Sequence, residues 1–372
     1  MLTCGLHCPG VVVLPLAQSG SGFRRRRLIA AAALALPAIV SARARAAARS
    51  VTLAGNGGWF QSVFDSVILE AFRKAHPDIA VFYYPVGNSY QALSVLRAQR
   101  GAPATAVALL ASGIAARATA EGLLKPLDAA SMPVLNDLAA GAVSPNIAGP
   151  ALMLDNLALG YNPTLIAPPP RSWRALWNPV YGRRVALQTP PDPLGLAITA
   201  VAAGLYGAGD PKTSMDIALT ALGQLVPRVG VWDPIPDVYT AIADGDAGLG
   251  PCWNARARAQ AALTPQRFAV VIPDDGGPYL TTTVNLIDKA PQAEVARILI
   301  DWLLGPDAQR LLVEAMFYQP VNTKADIPAA ALARAGATRA MIARRMEMDW
   351  IGITAARDRV TALWRSHGLA PQ

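Results

Sequence analysis

Two extended runs constrain this chain more than any other feature: GPALMLDNLALGYN at 149–162 and YLTTTVNLID at 279–288. Each is longer than the other strand candidates, and they bracket a stretch with its own strand–helix alternation. A run that is apolar on both faces belongs inside a sheet rather than at its rim. Two such runs around a self-contained block are how a chain leaves one lobe for another and returns. The 372 residues are also too many for one core and comfortable for two. The expectation is an α/β protein of two lobes, each a mixed, mainly parallel sheet flanked by helices, joined by two crossovers. One large α/β domain with an insertion is the alternative.

The flanking segments agree. SVTLAG (50–55) reads as a buried strand. The helix over 60–76 has Val63, Phe64, Val67, Ile68, Ala71 and Phe72 at helical spacing and stops at Pro77. Strand 79–86, helix 89–101, strand 106–111 and helix 112–122 follow, which makes βαβ units. Between the long runs, a proline-bounded turn and short helix at 168–184 precede a strand at 185–189. A helix over 194–206, a helix–turn–strand at 237–253 and a strand at 268–277 complete the block. After the second run comes a helix pair, 291–316, broken at Gly305-Pro306. The lobes are expected at 50–156 with 286–325, and at 163–278. Helices over 326–372 should pack on the lobes, on their outer face, with Trp350 and Trp364 as core anchors.

The N-terminus has the layout of an address. Arg24 to Arg27 precede the apolar segment Leu28–Val40, which is too short for a spanning helix of roughly 20 residues. Small residues then recur at Ala42, Ala44 and Ala46, at the spacing a signal peptidase requires. Residues 1–46 are expected to be an export signal, similar to twin-arginine signals, with the mature protein periplasmic. This changes the meaning of the charge. Six of the 33 basic residues and none of the 25 acidic ones precede residue 47, so the remainder carries 27 against 25, a net of +2. That is too little for a nucleic-acid footprint. Cys252 is the one cysteine left after cleavage, so no internal disulfide is expected, and a lone Cys is more often buried than reactive. His76 and His367 lack metal-ligand spacing. No Gly-x-Ser-x-Gly and no phosphate loop occur, so neither an enzyme nor a cofactor is expected.

In open α/β sheets, ligands bind beyond the carboxyl ends of the strands, where helix N-termini present free N–H groups. The strand ends therefore supply the candidates. Asn56, Gly58 and Trp59 follow the first strand, Ser89 and Tyr90 the second, and Ser112 the third. In the block, Thr189 and Asp192 follow one strand, and Trp253, Asn254 and Arg256 another. Tyr279 and Thr281 open the second long run. Trp59 and Trp253 are expected to face each other from the two lobes.

The order of the segments resembles solute-binding proteins of bacterial ABC importers, in the cluster that takes up polyamines, ferric iron and related solutes. HPDIAVFYYPVGNSYQALSVLRAQRGAPATAVALLASG (76–113) is similar to that family's second strand through third strand. AEGLLKPLD (120–128), GLGPCWNARA (248–257) and YQPVNTKA (318–325) resemble other stretches of it. The most specific piece is LALGYNPTLIAPPPRSWRALWNPVYGRRVAL (157–187), with its Tyr-Asn strand end and Ser-Trp-x-x-Leu-Trp turn. The resemblance implies a monomer that closes on a small solute by hinge motion and docks transiently on membrane permease subunits. The family's polyamine binders place acids in the cleft. Here Ala111 and Thr281 stand where two of them are often found, which points to a smaller or less cationic solute. Ferric binders use neighbouring tyrosines late in the second lobe, whereas Tyr83-Tyr84 lies in an early strand that sends the rings to opposite faces. A ferric-ion or metal-complex binder and a ligand-presenting sensor subunit are the alternatives.

Overall fold

The computed structural model describes residues 49–207 and 211–369; the candidate export signal lies outside them. Strands β1 (Ser50–Asn56), β2 (Ala80–Val86) and β3 (Val107–Ala111) run parallel in the order β2-β1-β3. The helices Ser89–Ala98 and Ser112–Ala120 connect and flank them. The first helix spans 59–75 and is α-helical at its ends, with a π-helical turn at Phe64–Leu69 that turns Phe64, Ile68 and Leu69 into the core. A short strand, β4 (Leu124–Lys125), edges this sheet.

The two long runs are the strands β5 (Ala151–Tyr161) and β10 (Gly277–Ile287). β10 lies antiparallel to β3 through 282–286 and to β5 through 279–283. β5 then changes partner: from Leu157 onward it pairs with β8 (Leu249–Trp253) and β9 (Ala269–Val271). Beyond β8 lie β6 (Val185–Leu187) and β7 (Val229–Trp232), parallel to one another, with β6 also parallel to β8. The helices Pro193–Tyr206, Pro211–Leu225, Val238–Asp244 and Asn254–Leu263 flank this half. Helix Pro211–Leu225 and β7 are additions to the sequence reading. A helix pair, Ala293–Leu304 and Pro306–Met316, breaks at Gly305 as expected.

Burial follows the change of partner on β5. One core is built around Phe64, Phe72, Leu152, Leu286 and Leu299, with a small satellite around Leu93 and Leu110. The other is built around Leu157, Leu159, Trp173, Ile198, Leu249 and Phe268. The C-terminal helix Trp350–Ser366 contributes Trp350, Val360 and Trp364 to this second core, and Trp364 Nε1 donates to Thr199 Oγ1 at 3.0 Å. Trp350 and Trp364 are thus core anchors. The helix is not confined to an outer face, because its other side reaches the first core. A Cβ at Gly113, at the carboxyl end of β3, would fall 2.1 Å from Thr354 Oγ1 and 2.4 Å from the Trp350 carbonyl. No described helix is long and apolar enough to cross a membrane.

Candidate functional site

The carboxyl ends of the parallel strands carry the expected residues, with different degrees of freedom. At the end of β1, Asn56 is exposed, and its carbonyl accepts from Tyr83 Oη at 2.7 Å. Gly58 has φ 66 and ψ −139, a conformation open to glycine alone, and a Cβ there would meet nothing within 4 Å. Trp59 is half-buried against the first core. Ser89 Oγ accepts from the Ala111 N–H at 3.0 Å, tying the end of β3 to the start of the preceding helix. Asn88 caps that helix through Gln91 N. The Tyr90 ring lies under the Arg357 guanidinium, 4.1 Å from its centroid. Ser112 is half-buried and opens the helix on which Gly113 receives the C-terminal helix.

In the second half, Thr189 donates from its N–H and its hydroxyl to Asp233, at 2.7 and 2.9 Å. Asp192 caps helix Pro193–Tyr206 through Leu194 N at 2.8 Å. Water reaches Asp192, but protein crowds its carboxyl from several sides; that desolvation raises its pKa, and the nearby Asp233 charge adds to it. Arg256 lies over the Tyr239 ring at 5.2 Å and 3.9 Å from Asp237. Asn254 is fully buried, giving Nδ2 to the Arg334 carbonyl and taking Arg258 Nε on Oδ1, so both ends of its amide are used. Tyr279 donates to Glu347 Oε2 at 2.6 Å with Arg345 over its ring; burial first, then Glu347, pushes its phenol up to about 12. Thr281 is half-buried, opposite Leu154.

Trp253 is half-buried, and its ring partner is Trp350, 6.4 Å away at 54°, rather than Trp59. Trp350 Nε1 donates to the Tyr279 carbonyl at 2.6 Å, which fixes this pair to the start of β10. Tyr239 Oη accepts from Trp253 N at 3.1 Å. Cys252, next to Trp253, is buried with its thiol pushed up by desolvation, which suits an inert core residue.

Asp155, an acid of the first long run, and two tyrosines that sequence reasoning passed over, Tyr239 and Tyr318, sit among these. Asp155, on β5, is 8% exposed and accepts from Ala255 N at 3.0 Å, capping helix Asn254–Leu263 from outside its own segment. Tyr318 packs edge-on against Phe60 at 6.0 Å. Burial raises the phenol pKa of both Tyr318 and Tyr239, and the Asp155 charge raises each further. Phe60 thus meets Tyr318, whose phenol feels Asp155, and Trp253 meets Trp350, whose helix lies against Gly113 and, through Arg357, over Tyr90. The signal for Asp155 was present as an acid in an otherwise apolar run; Tyr239 and Tyr318 carried no local mark. A surface cavity of about 230 Å³, lined by Leu96, Arg100, Glu121, Leu123, Ile287 and Lys289, lies at the opposite end of β3, away from the N-terminus of the helix Ser112–Ala120. Among the described residues no cluster of His, Cys, Asp or Glu has the arrangement of a metal site.

The match to known proteins covers the same span. Residues 68–338 fit the model of the bacterial extracellular solute-binding protein family. The chain belongs to that family. The spermidine/putrescine-binding periplasmic protein of Salmonella typhimurium is 30% identical over 172 residues, 45% of this chain and 48% of that protein. This chain therefore spans about half the length of that relative in the match. A periplasmic protein of Salmonella typhi described as 2-aminoethylphosphonate-binding is 27% identical over 286 residues, 72% of this chain and 76% of the other. An ABC transporter substrate-binding protein from Bradyrhizobium japonicum has the same fold, with TM-score 0.71 at 20% identity, over 85% of this chain and 99% of that one.

Proposed function

We propose that the protein is the periplasmic substrate-binding component of an ABC importer, which captures a small polar organic solute, polyamine-like or related, and delivers it to a membrane permease. The observation that carries this reading is the change of partner on β5 beside Asp155 and Trp253. Two cores meet at that step, and the helix N-termini of both lie around it. The lobes are 50–156 with 286–325, and 163–278, with the C-terminal helices packed across them. β5 and β10 are the hinge strands: β5 changes partner at the step, from β10 to β8 and β9, and β10 runs beside it up to that point. The solute sits between the lobes, among Asn56, Gly58, Trp59, Tyr90, Thr189, Asp192, Trp253, Arg256, Tyr279 and Thr281. Hinge closure around a bound solute follows. The names of the two relatives support an amine-bearing solute, and among the described residues no cluster of His, Cys, Asp or Glu favours ferric iron.

Residues 1–46 direct export through a twin-arginine-like route and are then removed. N-terminal sequencing of periplasmic protein is expected to begin near residue 47 or 49, and a mature chain that keeps Arg24 to Arg27 would refute cleavage. The binding reading is tested by tryptophan fluorescence during titration with polyamines, amino acids and small organic acids. The right compound should change emission saturably and with one-to-one stoichiometry. Steady turnover of the bound compound would instead make the protein an enzyme.

A further inference from the structure

The C-terminal helix Trp350–Ser366 is anchored near both ends in the second core. Trp350 Nε1 donates to the Tyr279 carbonyl at 2.6 Å, and the Trp350 ring lies 6.4 Å from that of Trp253. Trp364 Nε1 donates to Thr199 Oγ1 at 3.0 Å, and Leu369, just past the helix, is buried in the same core. The middle of the helix reaches the other half of the protein. Thr354 and Arg357, three residues apart and so on one face, make this contact. Thr354 lies against Gly113, in the first turn of helix Ser112–Ala120. Arg357 lies over Tyr90, in the first turn of helix Ser89–Ala98, with its guanidinium carbon 4.1 Å from the ring centroid. Both contacts sit at the carboxyl ends of β2 and β3, the end at which the proposed cleft opens.

Charge does not explain the place of Arg357. No ion pair among the described residues includes it. Its Nε is shielded from water and has no hydrogen-bond partner, which is costly. The first turn of a helix is also the positive end of its dipole, which disfavours a cation. The Tyr90 ring is what holds the guanidinium there. A planar, weakly hydrated cation stacks on an aromatic face, where a lysine ammonium would keep its water. Gly113 argues the same way. Glycine weakens the helix that holds it, yet a Cβ there would fall 2.1 Å from Thr354 Oγ1. The side chain that the local helix would prefer is the one that the contact forbids. Two separate local costs are thus met at one interface between the halves.

We propose that Arg357 on Tyr90, with Thr354 packed on Gly113, is a latch between the lobes that holds the unliganded protein partly closed. This rests on the two-lobed, hinge-closing reading above. The helix moves with the lobe that buries Trp364, so opening the cleft at the strand ends draws Arg357 off the Tyr90 ring and returns it to water. The contact belongs to the closed arrangement alone. It therefore shifts the balance between open and closed molecules by its own strength and no more.

Small-angle scattering of the exported protein without added solute tests this. Arg357→Ala should raise the ratio of open to closed molecules about 2- to 30-fold, seen as a larger radius of gyration. Arg357→Lys keeps the charge but loses the planar group, and its radius should fall between the two. Tyr90→Leu removes the same contact from the other lobe, and the double variant should expand no further than either single one. Arg359→Ala, at an exposed residue of the same helix, should keep the wild-type radius. Circular dichroism checks that each variant folds; if Arg357→Ala does not, Tyr90→Leu and Arg357→Lys carry the comparison. An unchanged radius on loss of the contact, additive expansion in the double variant, or equal expansion in Arg359→Ala overturns the latch and leaves the solute-binding reading standing. That reading falls separately, if no compound binds in the fluorescence titration.

Discussion

Trp253 and Asp155 behave differently as single residues, and each makes its own prediction. Trp253 is half-buried, with Trp350 on one side. Its stacking or cation–π contribution to a bound solute is about 0.5–2 kcal/mol. Trp253→Ala should therefore weaken solute binding by a factor of a few to about thirty. Unfolding by heat should change little; a large drop in melting temperature with unchanged affinity would make that ring core. Asp155 acts on stability through pH. Its folded pKa is raised from 3.8 to about 8, so the folded state holds the proton more tightly than the unfolded one. That contribution is complete below the unfolded value and is lost as pH rises through the folded one. Between pH 4 and 8 the slope is at most about 1.4 kcal/mol per pH unit. Urea denaturation at pH 5, 7 and 9 should show Asp155→Asn gaining on the wild type as pH rises, then levelling off above 8. A gap independent of pH would mean that Asp155 does not titrate in this range.

Among the elements, the C-terminal helix Trp350–Ser366 links the two cores most directly. Trp350, Val360 and Trp364 anchor it in the second core, while Thr354 sits on Gly113 and Arg357 lies over Tyr90 in the first half. Gly113 is required by this approach rather than by its backbone angles, because any side chain there meets Thr354 Oγ1 and the Trp350 carbonyl. Gly113→Val should cost about 1–3 kcal/mol by overpacking, read as a lower midpoint in chemical denaturation. It should also disturb the Trp350–Trp253 pair, giving a change in near-ultraviolet circular dichroism. An unchanged spectrum and midpoint would show that the helix docks elsewhere in solution. Much of the element layout was legible in the sequence: β1, β2, β3, β5, β8 and β10 lie where alternation and apolar runs put them. The strand Arg345–Met346 was not, because two residues carry no period. It exists because β10 offers Gly277 and Pro278 as partners.

For the whole molecule, the expected motion is closure about β5 and β10. Small-angle scattering of the exported protein should show a smaller radius of gyration at saturating solute, and an unchanged profile with a compound shown to bind would argue against hinge closure. The net charge of +2 beyond residue 46 gives little long-range steering, so association with the solute should depend weakly on ionic strength. A steep fall in on-rate between low and high salt would contradict this.

Local pattern carried the parts of the protein that short-range physics controls. Apolar spacing set the helix over 59–75, prolines and glycines set its neighbours' ends, and the two long apolar runs became the shared strands because burial on both faces demands an interior position. Strand ends also marked the region where Trp59, Tyr90, Asp192 and Trp253 lie. Which of those side chains are free was decided only by the tertiary structure. Asn254 is consumed by Arg334 and Arg258, Ser89 by Ala111, and Trp253 has Trp350 rather than Trp59 as its ring partner. The same holds for Asp155, whose cap on Ala255 spans 100 positions of sequence. Its place beside Tyr239 and Tyr318 likewise arises when segments distant in the chain are buried together. A side chain's pKa and its partners depend on what desolvates it, and that is a property of the packed molecule rather than of any local run of residues.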